Sequence, residues 1–122
     1  MVQNEHIVIT TSVDLLRVAA DELVYAEADG NYTTLVLADG DRRVVTLQLG
    51  QLERLMAQQM PRAATGYVRI GKSLIVSLAN VRYIHPGKGV LELRNPAGAK
   101  YGLSASREAL RALKEMMERN MK

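Results

Sequence analysis

Leu23-Val24-Tyr25-Ala26-Glu27-Ala28-Asp29-Gly30-Asn31-Tyr32-Thr33-Thr34-Leu35-Val36-Leu37 is the stretch that decides the fold. Two runs of β-forming residues flank Asp29-Gly30-Asn31, a strong turn signal. Asp39-Gly40 then predicts a tight hairpin, after which Arg42-Arg43-Val44-Val45-Thr46-Leu47 returns as a further strand. The connections are too short for crossovers, so these strands are expected to pair antiparallel.

Reading outward, His6-Ile7-Val8-Ile9-Thr10 is a β-branched strand, and Asp14 to Val18 a turn with a short strand. Beyond the hairpins the period changes. Leu49, Leu52, Leu55 and Met56 mark an amphipathic helix of about three turns that ends before Pro61. Strands are expected at 67–70 and 74–77 around Gly71-Lys72-Ser73, at 81–84 and 90–94 around Pro86-Gly87-Lys88-Gly89, and at 100–103. Ser104 or Ser106 caps a last helix with Leu110, Leu113 and Met117 on one face. The expected class is mainly β, with one short internal helix and a C-terminal helix.

A length of 122 residues suits a single domain over 1–122. Hydrophobic residues at 48% and charged residues at 24% match ordinary globular composition. No apolar run approaches the roughly 18 residues of a membrane span, so no membrane partner is expected. Met1 to His6 lacks the cationic and apolar regions of a signal peptide, and cysteine is absent. Both fit the cytoplasm. With no Trp or Phe, the core must be largely aliphatic.

Charge is polarised along the chain. Residues 1–40 carry seven acids against Arg17 alone, whereas residues 41–122 carry six acids against fifteen bases. Between 62 and 107, Arg62, Arg69, Lys72, Arg82, Lys88, Arg94, Lys100 and Arg107 face only Glu92. Scattered bases often make a solvated face, but a one-sided cationic stretch also suits a polyanion such as nucleic acid.

Gly66-Tyr67-Val68-Arg69-Ile70-Gly71-Lys72-Ser73 fits the phosphate-loop pattern G-x-x-x-x-G-K-[ST]. That chemistry needs a curled loop followed at once by a helix N-terminus. Here strand formers occupy the loop, and Leu74-Ile75-Val76 follow it. A nucleotide hydrolase is therefore rejected. His6 and His85 lack metal-site spacing, so no metal or cofactor is expected. Asp21, Glu22 and Asp39 look like turn carboxylates, and Ser104 and Ser106 like caps. The reading is of a protein that is not an enzyme.

Three segments together resemble the LytTR family of bacterial DNA-binding domains. They are Leu23 to Thr33 with its Glu27-Ala28-Asp29-Gly30-Asn31-Tyr32 core, Tyr67 to Ser77, and Leu103-Ser104-Ala105-Ser106-Arg107 at the last helix. The helix at 49–59 falls where the family has its Leu-x-x-Leu-Glu segment. The likeness runs from about residue 14 to 117, and it makes Gly71-Lys72-Ser73 a turn between strands. Gly71, Lys72 and Ser77 stand where the family often has His, Arg and Asn. The base that usually follows Ser104 is delayed to Arg107. Base-by-base specificity is therefore not carried over. Family members often follow a receiver domain, for which this chain has no room, so it is expected to be a stand-alone version.

The resemblance implies an elongated arrangement of small antiparallel sheets whose loops enter successive major grooves of double-stranded DNA. By position the loops are Asn31-Tyr32-Thr33, Gly71-Lys72-Ser73 and Ser104 through Arg107. The physical reading agrees in part. Lys72 on a Gly-flanked turn can reach a phosphate or a guanine edge. Ser73, Thr33 and Ser104 suit phosphate oxygens. Arg107 opposes the helix dipole at its position, which a phosphate or base would compensate. Lys88 and Lys100 are expected to extend the same face, and Ser106 belongs to the third loop. Alternation with Thr34 and Val36 turns the Tyr32 ring toward the core and presents Asn31 and Thr33 outward. Arg69 is left between pairing with Glu27 and facing phosphate. A second copy on a repeated site is a further expected partner. The competing reading is a β module that docks a protein through an exposed sheet edge.

Overall fold

The computed structural model describes residues 5–121. The reading of the Met1–Asn4 start, and Lys122 of the expected domain, lie outside the described residues. The strands are β1 (His6–Thr10), β2 (Leu15–Ala19), β3 (Leu23–Asp29), β4 (Tyr32–Leu37) and β5 (Arg42–Val45). Helices α1 (Leu49–Gln59) and α2 (Pro61–Ala64) follow. Then come β6 (Tyr67–Ile70), β7 (Leu74–Ser77), β8 (Val81–His85), β9 (Val90–Arg94), β10 (Lys100–Ser104) and α3 (Arg107–Arg119).

Among the described residues all pairings are antiparallel, in three sheets. The central sheet has the order β5-β4-β3-β7-β6, with the β1–β2 hairpin and the β10-β9-β8 meander beside it. Both faces of the central sheet are covered. Leu35, Leu37 and Ile75 meet Leu49, Leu52 and Met56 of α1 with Ile7, Ile9 and Val18 of the hairpin. On the other face Val36, Leu74 and Val76 meet Leu91 and Leu93 of β9 with Leu110 and Leu113 of α3. A register shift between Leu23 and Tyr25 breaks the alternation of β3. Val24 and Tyr25 consequently share one core, while Leu23 and Ala26 serve the other.

Polar side chains tie the layers together. Asn95 is buried; its amide donates to the Ala38 carbonyl at 2.9 Å and its carbonyl accepts from Ala99 N. Gln59 binds both Val8 N and Val8 O, extending the β1 backbone onto α1. The Tyr67 hydroxyl is shared between the carbonyls of Ala20 and Leu23. Burial, and secondarily the Asp21 carboxylate, pushes this phenol far above its ordinary range.

Three expectations need correction, and an open choice between two capping serines is decided. Pro61 does more than stop α1, because it occupies the first turn of a second short helix, where a missing N–H costs nothing. The strand expected over 42–47 ends at Val45. Ser106, not Ser104, caps α3, accepting from Ala109 N at 3.1 Å, and Ser104 stays in β10. Arg69 pairs with Glu53 of α1 at 2.9 Å and not with Glu27.

Candidate nucleic-acid interface

The register places two turns at one end of the central sheet. Asp29 pairs with Tyr32, so Gly30 and Asn31 alone join β3 to β4, and Gly30 adopts φ +62° to close so short a loop. β7 runs antiparallel to β3, with Glu27 opposite Leu74, so β7 begins where β3 finishes. Ala28 N donates to Ser73 O at 2.8 Å, which extends the pairing into the turn itself. The turns Gly30–Asn31 and Gly71–Ser73 thus project side by side. Two strand spacings separate their centres, about 10 Å.

The start of α3 joins them. A Cβ built on Gly71 would stand 3.9 Å from the Ala109 Cβ, so the first turn of α3 lies against the Lys72 turn. Ser104 pairs with Val90, and Ala105 N donates to Gly89 O, which brings the Pro86–Gly89 turn beside residues 104–106. Within that turn His85 Nδ1 accepts from Lys88 N at 3.1 Å. Asn31, Tyr32, Lys72, Ser73, Lys88, Ser104, Ser106 and Arg107 are all exposed. Among the described residues Lys72, Lys88 and Arg107 carry no salt bridge, which leaves their charges for an external anion.

Two predicted residues lie apart. Thr33 is fully buried and donates its hydroxyl to the Leu47 carbonyl at 2.7 Å, while Tyr32 is 54% exposed. The expected orientation is therefore reversed. Tyr32 does share its strand face with Thr34 and Val36, but both sheet faces are covered, so alternation alone cannot separate inside from outside. The end position decides it, because Tyr32 opens β4 where Val36 is already covered. Lys100 sits opposite Arg94, at the far end of β10 from Ser104. Four residues of strand place it about 13 Å from the cluster.

Sequence reading missed the supports of these turns. Glu53 reaches the Lys72 turn through Arg69, and His85 holds Lys88 N. Glu53 belongs to the Leu-x-x-Leu-Glu segment, a signal that marked its helix but not its partner. Nothing in the sequence around Tyr67 marks a role for its hydroxyl, which anchors the turn before β3. A cleft of about 580 Å³ opens at the opposite sheet end, bordered by Glu5, Asp21, Leu23, Tyr67 and Ser77, and it contains none of the clustered cations. Among the described residues no group of three His, Asp or Glu forms a metal site, and no helix is long and apolar enough to cross a membrane.

Comparison with known proteins gives the family and the fold. The family model described as the LytTr DNA-binding domain matches residues 14–118. Among solved structures, the chain is similar to a Bacillus cereus domain described as the LytTr DNA-binding domain of a methyl-accepting/DNA response regulator. That likeness has a TM-score of 0.63 at 16% identity and covers 94% of this chain and 98% of the other. At such identity it speaks to the fold. No curated protein matches.

Proposed function

The chain belongs to the LytTr DNA-binding domain family, and we propose that it binds double-stranded DNA sequence-specifically as a bacterial transcription regulator. DNA binding in a regulatory role follows from membership; the contacts are our reading. The exposed turns around Asn31, Lys72, Lys88 and Arg107 enter successive major grooves on one face of the duplex. Phosphate contacts from Ser73, Ser104 and Ser106 set the register. The observation that carries this reading is the convergence of two hairpin turns, the Pro86–Gly89 turn and the start of α3. Three cations without salt-bridge partners among the described residues stand on them. A second copy on a repeated site is part of the same proposal.

Fluorescence anisotropy with a duplex selected from a randomised pool tests it. Affinity should fall with salt by about 0.9 log units per log unit for each phosphate neutralised. Lys72→Ala should relax preference for the selected site over mixed-sequence duplex by about 1–3 kcal/mol without lowering the melting temperature. A salt slope near zero, together with retention of a partner protein, would favour the protein-docking module instead.

A further inference from the structure

We propose that Glu53 is a positioning residue for DNA recognition, acting through Arg69 on the backbone of the Lys72 turn. The proposal rests on the function just stated and extends it to a residue outside the contact surface.

The geometry is a relay of two side chains. Arg69 leaves β6 and donates from Nη1 to Glu53 Oε1 at 2.9 Å. Its other terminal nitrogen, Nη2, donates to the Lys72 carbonyl oxygen at 3.4 Å. A planar guanidinium has its donors in a fixed fork, so orienting one nitrogen orients the other. Glu53 on α1 therefore sets where Arg69 presents its second donor. Gly50 lies one turn earlier on the same helix, and a Cβ there would meet Arg69 Nη1 at 3.8 Å. That is ordinary contact distance, so the guanidinium passes directly over the start of the helix.

The turn needs such a support. Gly71 adopts φ +60°, a region open to glycine, and glycine alone imposes no stiffness. Ser73 O is held by Ala28 N on one side, and Gly71 lies against Ala109 on another. Lys72 itself, between them, has its carbonyl held by Arg69. The three supports come from β3, α3 and, by way of Arg69, α1.

The pair has little to do with stability. Both side chains are substantially exposed, at 36% for Arg69 and 45% for Glu53, and exposed pairs contribute little to folding. Arg69 is also a cation close to the proposed DNA face. Without Glu53 it is free to swing to any phosphate. Glu53 thus keeps a charge that would bind DNA indiscriminately engaged in holding the turn that reads sequence.

The test is Glu53→Ala in the full chain, alone and with Lys72→Ala. We expect a melting temperature near the parent's and an unchanged or steeper salt slope. Preference for the selected duplex over mixed-sequence duplex should drop by about tenfold. In the Lys72→Ala background the same change should cause no further loss of preference, since the group it positions is gone. Free of DNA, the 15N order parameters of residues 71–73 should fall toward the flexible range, below about 0.6. Unchanged order parameters would overturn the proposal, as would an equal loss of preference with and without Lys72. If the parent itself shows no salt-dependent DNA binding, the functional reading fails, and the order parameters still decide whether Glu53 holds the turn.

Discussion

Thr33 donates its hydroxyl to the Leu47 carbonyl oxygen at 2.7 Å from a fully buried position. The bond fastens β4 to the segment that leads from β5 into α1. Thr33→Val keeps the shape and leaves the Leu47 carbonyl without this donor. It should destabilise the fold by about 1–3 kcal/mol in chemical denaturation. Tyr32→Ala, one residue away, should melt almost normally and lose DNA affinity, because the ring is half exposed at the sheet end. A large loss of stability from Tyr32→Ala with normal DNA binding would reverse the assignment.

Lys88 and Lys100 should separate in a salt titration. Lys88 stands beside Ser104 and Ala105, whereas Lys100 lies at the other end of β10 opposite Arg94. Lys88→Ala should reduce the log–log salt slope by about 0.9. Lys100→Ala should leave it within experimental error. Equal effects would mean that the duplex runs along β10 and does not seat on the turns.

Gly89 combines φ +67° with a close neighbour, because an added Cβ would stand 3.2 Å from the Ala105 carbonyl oxygen. Gly89→Ala should cost about 1–2 kcal/mol from the left-handed backbone alone. It should also weaken DNA binding by shifting Lys88 against residues 104–106. Gly102→Ala is the control, since nothing lies within 4 Å of its Cβ position. Thermal melts and anisotropy on both variants check this.

Tyr67 predicts an alkaline limit to stability. In the unfolded chain a phenol ionises near pH 10. In the folded protein burial, then Asp21, holds the proton on to higher pH. Stability from this group is therefore full below about pH 10 and declines as pH rises beyond it. Tyr67→Phe loses the bonds to Ala20 and Leu23 and should be less stable at pH 8 by about 1–2 kcal/mol. The gap to the parent should narrow by pH 11 in urea titrations. A constant gap would show that the phenol ionises alike in both states.

Local signals were legible in the sequence. The Asp29-Gly30-Asn31 turn, the period of α1 and the Gly71-Lys72-Ser73 break each depend on a few adjacent residues, and each stands where expected. The strands after Ser73 also distinguish the phosphate-loop look-alike from a true one, since β6 and β7 pair as a hairpin. What stayed hidden depended on residues distant in the chain. Nothing near Thr33 announces that α1 will cover its face, and nothing near Arg69 announces Glu53. Two serines of equal capping chemistry compete before α3, and the choice falls to Ser106 because pairing with Val90 keeps Ser104 in a strand.

The β3–β7 ladder has a consequence for biosynthesis. Ala26 pairs with Ile75, so the middle strand of the central sheet waits for a partner made long after it. Until that partner leaves the ribosome, β3 has β4 on one side and an open edge on the other. Leu23 to Ala26 supply both cores, the profile of a segment that sticks to other chains or recruits a chaperone. Closure of that edge also completes the pair of turns at the sheet end. A truncated or stalled nascent chain would then hold an adhesive strand and lack the surface proposed to recognise DNA.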